Sequence, residues 1–360
     1  MTAIHQLVAG FANGDAISNE ARVLRRVFRG WGCASEIFCE TRRILPELRS
    51  EARDLALLAA ALRPGDVVLL HLSIGSAANE LFRQLPCRKA LLYHNITPPN
   101  YFRGVQEQLA HQLALGRAQA RALAGTAEVN LADSAFNAAE LATLGYRGAA
   151  VFPLFLDFER LRAAPSRVTA AKFDDGLVNI LFVGRGAPNK CIDDLLAAFH
   201  YFQRYVMPDS RLIHVGSYTG LETYEGLMRT RICHLALSNV ELTGALPQPA
   251  LNACYRSAHV FLSMSEHEGF GIPLLEALVH DVPVLAYAAG AVPETLAGAG
   301  VLFREKRFDL VAEMLGRLAR DAALRAAVLA RQRERLQLFE RRDLAAELRA
   351  HLAPLLPPGA

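Results

Sequence analysis

Several things are scarce in this sequence of 360 residues, and each absence removes a class of function. No window approaches the roughly 18 consecutive apolar residues that a membrane-spanning helix needs, so any membrane contact is expected to be peripheral. The six cysteines, Cys33, Cys39, Cys87, Cys191, Cys233 and Cys254, are scattered. None forms a Cys-x-x-Cys pair or sits at zinc-site spacing from a histidine, so they read as buried or incidental thiols of a reducing cytosol. Charge is nearly balanced, 39 Lys and Arg against 36 Asp and Glu, and no dense basic run with interleaved aromatics occurs. Nucleic acid is therefore not an expected partner. The first residues, MTAIHQLVAG, lack the basic start and cleavage site of a signal peptide, which points to a cytoplasmic protein. No Asp-x-Asp occurs anywhere, so the usual carboxylate pair for a divalent ion on a diphosphate is missing.

Apolar residues are plentiful, 52% of the chain, enough for two cores. Short Val/Leu/Ile runs alternate with helical patterns, the mark of parallel sheets buried on both faces. In the first half the runs are 4–9, 35–39, 67–72, 90–94, 129–132 and 149–155. The mixed, charged segment 157–176 breaks the rhythm, which restarts at 178–183, 211–215, 240–242, 260–262 and 284–286. The pattern predicts an α/β protein of two Rossmann-like doubly wound domains facing a cleft. The expected division is an N-terminal domain over 1–158, a linker over 159–176 and a C-terminal domain over 177–335. A helical segment, 336–360, should pack back toward the N-terminal domain before Pro354, Pro357 and Pro358 stop it.

In doubly wound sheets ligands sit at the carboxyl ends of the strands, so the loops there deserve inspection. The richest is Ser265-Glu266-His267-Glu268-Gly269-Phe270-Gly271-Ile272-Pro273-Leu274-Leu275-Glu276-Ala277. Gly269 and Gly271 allow a sharp turn and close approach to a ligand, and Pro273 suits the first turn of a helix. The free N–H groups of that turn, from Ile272 on, favour an anion such as a pyrophosphate. Glu268 in the loop and Glu276 one turn into the helix can accept hydrogen bonds from hydroxyls on two parts of one ligand. The bland alternative is a solvated or capping role for both.

A second loop, Val183-Gly184-Arg185-Gly186-Ala187-Pro188-Asn189-Lys190, follows the first strand of the C-terminal half. Arg185 and Lys190 are two fixed cations able to neutralise a departing diphosphate. The competing reading, a dinucleotide fingerprint begun by Gly184 and Gly186, fails because Asn189 replaces the third glycine.

The 265–277 stretch strongly resembles the donor-site signature of glycosyltransferase family 4, a retaining family with the GT-B fold. The resemblance continues through Asp281-Val282-Pro283-Val284 and Gly290-Ala291-Val292-Pro293-Glu294-Thr295. It implies that Glu268 contacts the transferred sugar and Glu276 the nucleotide ribose. Arg185 and Lys190 are similar to the family's donor-phosphate pair, with Gly184, Gly269, Phe270, Gly271 and Ile272 completing the donor site. His94, at a strand end, matches a histidine near the reacting carbon; its other reading is a structural histidine. The first loop, Gly10-Phe11-Ala12-Asn13-Gly14-Asp15, departs from the two adjacent glycines usual there. Gly14 and Asp15 are both donor-site candidates: Gly14 still permits close approach to phosphates, whereas Asp15 would have to turn away from them or take an acceptor hydroxyl instead. His71, Ser73 and Ser76 are weaker acceptor-side candidates.

The resemblance implies a hexose or deoxyhexose passing from a nucleoside-diphosphate sugar to a glycan or lipid-linked acceptor, in bacterial surface polysaccharide synthesis. It implies no cofactor and no metal; the nucleotide sugar is a substrate. Rival readings are a nucleotide-sugar epimerase and a silent binding protein of the same fold. The helix after the first loop carries Arg22, Arg25, Arg26 and Arg29 mostly on one side. That face is either simply solvated or docks on the cytoplasmic face of the inner membrane, where lipid-linked acceptors sit.

Overall fold

A computed structural model describes residues 2–357; Pro358, one of the three expected helix-stopping prolines, lies outside them. The chain divides into two compact units. Unit 1 takes the chain up to residue 103, then 107–155, and again from 343 on; unit 2 takes 104–106 and 156–342.

Unit 1 is built on seven strands: β1 (Ile4–Leu7), β2 (Ile37–Cys39), β3 (Arg53–Asp54), β4 (Val67–Leu72), β5 (Arg88–Tyr93), β6 (Val129–Ala132) and β7 (Ala150–Val151). They lie in the order β3-β2-β1-β4-β5-β6-β7, and every pairing is parallel. The order reverses beside β1, as in doubly wound folds. All residues of β1 and β4 are buried, which explains their unbroken apolar runs. The two-residue edge strand β3 carries no apolar signal, so the sequence pattern passes over it. The core joins Ile4, Leu24, Phe28, Leu69, Leu92 and Leu131 to Leu348, Leu352 and Leu355. The last three come from the C-terminal helix Leu344–Leu352 and the turn after it, which makes that helix part of this core. Arg88 Nη1 donates to the Leu355 carbonyl at 2.9 Å and holds the end of the chain in place.

Unit 2 has six parallel strands: β8 (Val178–Val183), β9 (Ser210–Val215), β10 (Val240–Gly244), β11 (Val260–Ser263), β12 (Val284–Tyr287) and β13 (Val301–Phe303). Their order is β10-β9-β8-β11-β12-β13. The short edge strand β13 went unread in the sequence because its three residues are only half-buried and lack a clear pattern. The stretch 159–176, read from the sequence as a linker, carries secondary structure. Helices Phe158–Arg162 and Arg167–Lys172 occupy most of it, capped by Asp157 and Ser166. Asn252 Nδ2 donates to the carbonyls of Arg160 and Ala163, tying the stretch to the helix Gln248–Ser257.

Among the described residues no helix is long and apolar enough to cross a membrane. The basic face of the helix Ala16–Gly30 is largely neutralised within unit 1. Arg22 and Arg25 pair with Glu51, and Arg29 pairs with Glu36. Arg26 is exposed.

Candidate functional site

In unit 2 the strand order places β8 beside β11, with Ile180 opposite Val260. This is where the order reverses, and the two loops singled out in the sequence leave these two strands side by side. They are bonded to each other. Lys190 Nζ donates to Glu268 Oε1 at 2.7 Å. Asn189 Nδ2 donates to the His267 carbonyl at 3.3 Å, and the Asn189 carbonyl accepts from Glu266 N at 3.0 Å. Residues nearly eighty positions apart thus form one cluster. Lys190 sits in a short turn, Pro188–Lys190, before the helix Ile192–Tyr201. Arg185 is exposed, and its Nη2 donates to the Thr219 carbonyl at 3.0 Å.

The Gly184 loop is shaped by the end of β9. Gly184 N donates to Val215 O and Gly186 N to Ser217 O. The two chains come so close that a Cβ on Gly216 would lie 1.7 Å from the Gly184 carbonyl oxygen. That carbonyl can only accept, so His214 carries its proton on Nε2 and donates to it at 3.0 Å. His214 Nδ1 then accepts from the Tyr218 hydroxyl at 3.1 Å. Burial lowers His214 to about 4, which keeps it neutral. Neither His214 nor Tyr218 stood out in the sequence; their i, i+4 spacing across a strand end is no recognised signal.

The Glu268 loop is buttressed from the far side. The Glu268 carbonyl accepts from Ala291 N at 2.9 Å, and a Cβ on Gly290 would lie 2.4 Å from that same oxygen. The Thr295 hydroxyl donates to the Phe270 carbonyl at 2.5 Å. Phe270 is buried, so it holds the loop down from within. Gly271 takes the left-handed conformation, φ 90°, and caps the helix Ile272–Val279. Glu276 follows one turn in, where the Tyr255 hydroxyl donates to its Oε2 at 2.7 Å. Burial raises the Glu276 carboxyl above its ordinary range, and the Tyr255 bond offsets this only in part.

Cys191, Asp194 and Glu266 also come close enough to hold an ion. However, the ammonium of Lys306 donates to Asp194 Oδ2 at 2.5 Å and to Glu266 Oε1 at 2.7 Å. The carboxylates are engaged with a resident cation, and burial pushes the Cys191 thiol up to about 12, far from a thiolate ligand.

In unit 1, Gly14 turns the chain with φ 72°. Asp15 points back onto its own helix: it caps Ala16–Gly30 by accepting from Ser18 N at 2.8 Å and Ser18 Oγ at 2.7 Å. A cap is a physical reason for an aspartate at this position, and it engages one carboxylate oxygen, Oδ2. Asp15 still borders a cavity of about 290 Å³ at the ends of β1 and β4, walled by Phe11, Ile17 and Ile74, with Arg43 and Ser73 as polar members. Ser76 caps the helix Ala77–Gln84.

His94 is bonded at both nitrogens, Nε2 to His71 Nδ1 at 2.8 Å and Nδ1 to Asp133 Oδ2 at 3.0 Å. Its side chain is only 2% exposed, so the imidazole is not a free arm for a sugar hydroxyl. Asp133 was not foreseen, nor was Glu20, a second buried acid, whose Oε2 accepts from Phe155 N at 3.0 Å.

The profile described as Glycosyl transferases group 1 matches residues 169–335. The D-inositol 3-phosphate glycosyltransferase of Segniliparus rotundus is 35% identical over 153 residues, which cover 41% of this chain and 33% of that protein. The O-antigen chain mannosyltransferase B of Escherichia coli is 25% identical over 153 residues, 42% of this chain and 39% of that one. The matches thus span well under half the length of these curated relatives. Among solved structures, a sucrose-phosphate synthase from Thermosynechococcus elongatus superposes with a TM-score of 0.75 at 18% identity, covering 99% of each chain. That likeness shows the fold, which is GT-B. The profile and the relatives support a transferase enzyme of the glycosyltransferase class.

Proposed function

We propose that this protein is a retaining glycosyltransferase. It moves a hexose or deoxyhexose from a nucleoside-diphosphate sugar to a glycan or lipid-linked acceptor, in the synthesis of bacterial surface polysaccharide. The observation that carries this reading is the Lys190–Glu268 bond, which makes a single cluster of the two sequence loops with donor-site character. Lys190 and Arg185 are the cations for the diphosphate. Glu268 lies toward the transferred sugar, and Glu276, braced by Tyr255, takes ribose hydroxyls. Gly184, Gly269, Gly271 and Ile272 allow the backbone to approach the phosphates, and Phe270 anchors their loop. In unit 1, Gly14 lets the backbone approach the donor phosphates, and the cavity bordered by Asp15 takes the acceptor.

The acceptor oxygen bonds to the anomeric carbon on the face from which the diphosphate leaves, and its proton passes to the departing phosphate oxygen. Charge on that leaving group is what fixed cations stabilise most in the transition state. A lipid-linked acceptor would bring the protein to the cytoplasmic face of the inner membrane. With three of four helix arginines already paired, that contact would rest on Arg26 and the acceptor itself.

A thermal-shift panel of UDP, GDP, ADP and dTDP sugars identifies the nucleotide, since a ligand of the folded state raises the melting temperature. Transfer with the stabilising donor should then give a product of unchanged anomeric configuration. Turnover to an isomeric nucleotide sugar without acceptor would establish the epimerase instead.

A further inference from the structure

Four polar side chains form a line under the carboxyl ends of four adjacent strands of unit 1. Gln6 lies on β1, His71 on β4, His94 just after β5 and Asp133 just after β6. Gln6, His71 and Asp133 are all buried. The line is continuous: Gln6 Oε1 to His71 Nε2 is 2.9 Å, His71 Nδ1 to His94 Nε2 is 2.8 Å, and His94 Nδ1 to Asp133 Oδ2 is 3.0 Å. The two imidazoles lie in nearly parallel planes, 5° apart.

The hydrogens can be assigned from one end. Gln6 Nε2 donates to the Ala21 carbonyl at 3.0 Å, so Oε1 is the atom facing His71 and must accept. His71 therefore carries its hydrogen on Nε2. Burial and the neighbouring His94 hold His71 well below the usual histidine range, so its Nδ1 is a bare acceptor. His94 must then donate from Nε2. One proton remains for the last link, shared between His94 Nδ1 and Asp133. The two bonds from His94 to His71 and from His71 to Gln6 both point toward Gln6, and both His94 nitrogens are engaged. The next residue, Asn95, is held at φ 76° by bonds from its Nδ2 to Asn137 and Glu140. A non-glycine residue in that conformation needs firm surroundings, and the locked ring supplies them on one side.

We propose that Asp133, His71 and Gln6 are positioning residues for His94: a chain of fixed proton order that clamps the imidazole. His94 then contributes to sugar transfer by where it holds the end of β5 and not by exchanging a proton with substrate. This rests on the reading of His94 as a site residue of the transferase, and the test separates the two. Beside the chain's own members, Glu20 from the helix Ala16–Gly30 interacts with Asp133, and burial raises its carboxyl well above the carboxylate range with help from Asp133.

The test uses the full chain labelled with 15N-histidine, as wild type, Asp133→Asn and Asp133→Leu. Long-range nitrogen–proton correlation spectra should show His71 as its Nε2–H form. His71 should keep that form between about pH 5 and 8, where a free histidine titrates. An ordinary titration of His71, or a His71 hydrogen found on Nδ1, overturns the clamp. In kinetics Asp133→Leu should lower kcat roughly tenfold or more, the loss expected of a buried charged hydrogen bond. Donor KM should hold, and the pH profile should keep its shape. Asp133→Asn, whose amide can still donate to His94 Nδ1, should recover most of the rate and melts near wild type if folded. Full activity in Asp133→Leu, or a pH limb that moves in Asp133→Asn, overturns the proposal. If wild type transfers from no nucleotide sugar, the functional reading fails, and the spectra alone decide the clamp.

Discussion

In unit 2 Lys190 and Glu268 lie in loops and pair by charge, whereas in unit 1 Gln6, His71, His94 and Asp133 lie beneath strand ends and are joined in a line. The side chains of Lys190 and Glu268 keep 20% and 13% of their surface, while those of His94 and Asp133 keep 2% each. A partly exposed ion pair is cheaper to open than a buried one, because water and an incoming charge can replace each partner. A buried chain has no such replacement, and losing one member leaves others unsatisfied. The difference suits two tasks. Lys190 can exchange Glu268 for a phosphate when donor arrives, whereas the His94 chain can only keep its shape.

Unit 2 has one buried histidine of the second kind, and it gives the largest expected effect. His214 binds its proton at about 4 in the folded state against 6.5 when unfolded, because burial opposes the charge. Between those values the unfolded chain binds more protons, so stability rises with pH. The contribution is fully present above about pH 6.5 and is lost as pH falls toward 4, by on the order of 3 kcal/mol. Denaturant melts of wild type and His214→Gln across that window should show a smaller slope in the variant. Equal slopes would mean that His214 is not held neutral, and the Gly184 loop would lose its proposed anchor.

Next in size are the two loop cations. Lys190→Ala and Arg185→Ala should each slow transfer and weaken nucleoside diphosphate binding by about 10–150-fold, since a charged hydrogen bond contributes roughly 1.5–3 kcal/mol. Wild-type turnover in both would remove them from the site. A double-mutant cycle of Lys190→Ala with Glu268→Gln sharpens the comparison: the pair should couple, because each is the other's partner before donor binds.

The two glutamates should fail differently. Glu276→Gln removes contacts to a ribose that does not change during reaction, so donor KM should rise more than kcat falls. Glu268→Gln removes a carboxylate beside a sugar that becomes positively charged, so kcat should fall. Its affinity for bare nucleoside diphosphate should hold or improve, because Lys190 is freed. Calorimetry with the diphosphate alone decides this; equal weakening in both variants would void the assignment.

A smaller effect distinguishes a cap from a ligand. Asp15→Ala should cost about 1 kcal/mol of stability, the usual loss for an N-cap, and leave donor affinity unchanged. Loss of diphosphate binding with an unchanged melting temperature would restore Asp15 to the donor site.

What was legible in the sequence follows the same divide. The loops of unit 2 announce themselves because their chemistry is contiguous: Glu268, Gly271, Pro273 and Glu276 lie within nine positions. The alternation of apolar runs likewise exposed eleven strands, missing the short edges β3 and β13. The chain in unit 1 is invisible by comparison. Gln6, His71, His94 and Asp133 come from four strand ends, and nothing local links them; only the order β1-β4-β5-β6 does. Asp15 shows a further limit. An aspartate in a strand-to-helix loop fits a ligand contact and a helix cap equally well, and only its bonds to Ser18 separate them.

The last expected effect is none at all. Transfer should survive EDTA undiminished. A diphosphate leaving group needs positive charge, and a divalent ion is the common source, usually held by an Asp-x-Asp that this sequence lacks. Here the charge has two other sources on the same strand end, Arg185 and Lys190, beside the first-turn N–H groups of the helix Ile272–Val279. The carboxylates nearest to an ion-binding arrangement, Asp194 and Glu266, are already bonded to Lys306. An ion there would have to displace a resident ammonium. Activity assayed with the stabilising donor, with and without chelator, should therefore coincide. Loss with EDTA and recovery with Mg²⁺ or Mn²⁺ would show that the cations of unit 2 do not suffice. Lys306→Ala would then be the variant to examine, since removing its ammonium should tighten metal binding if that cluster is the site.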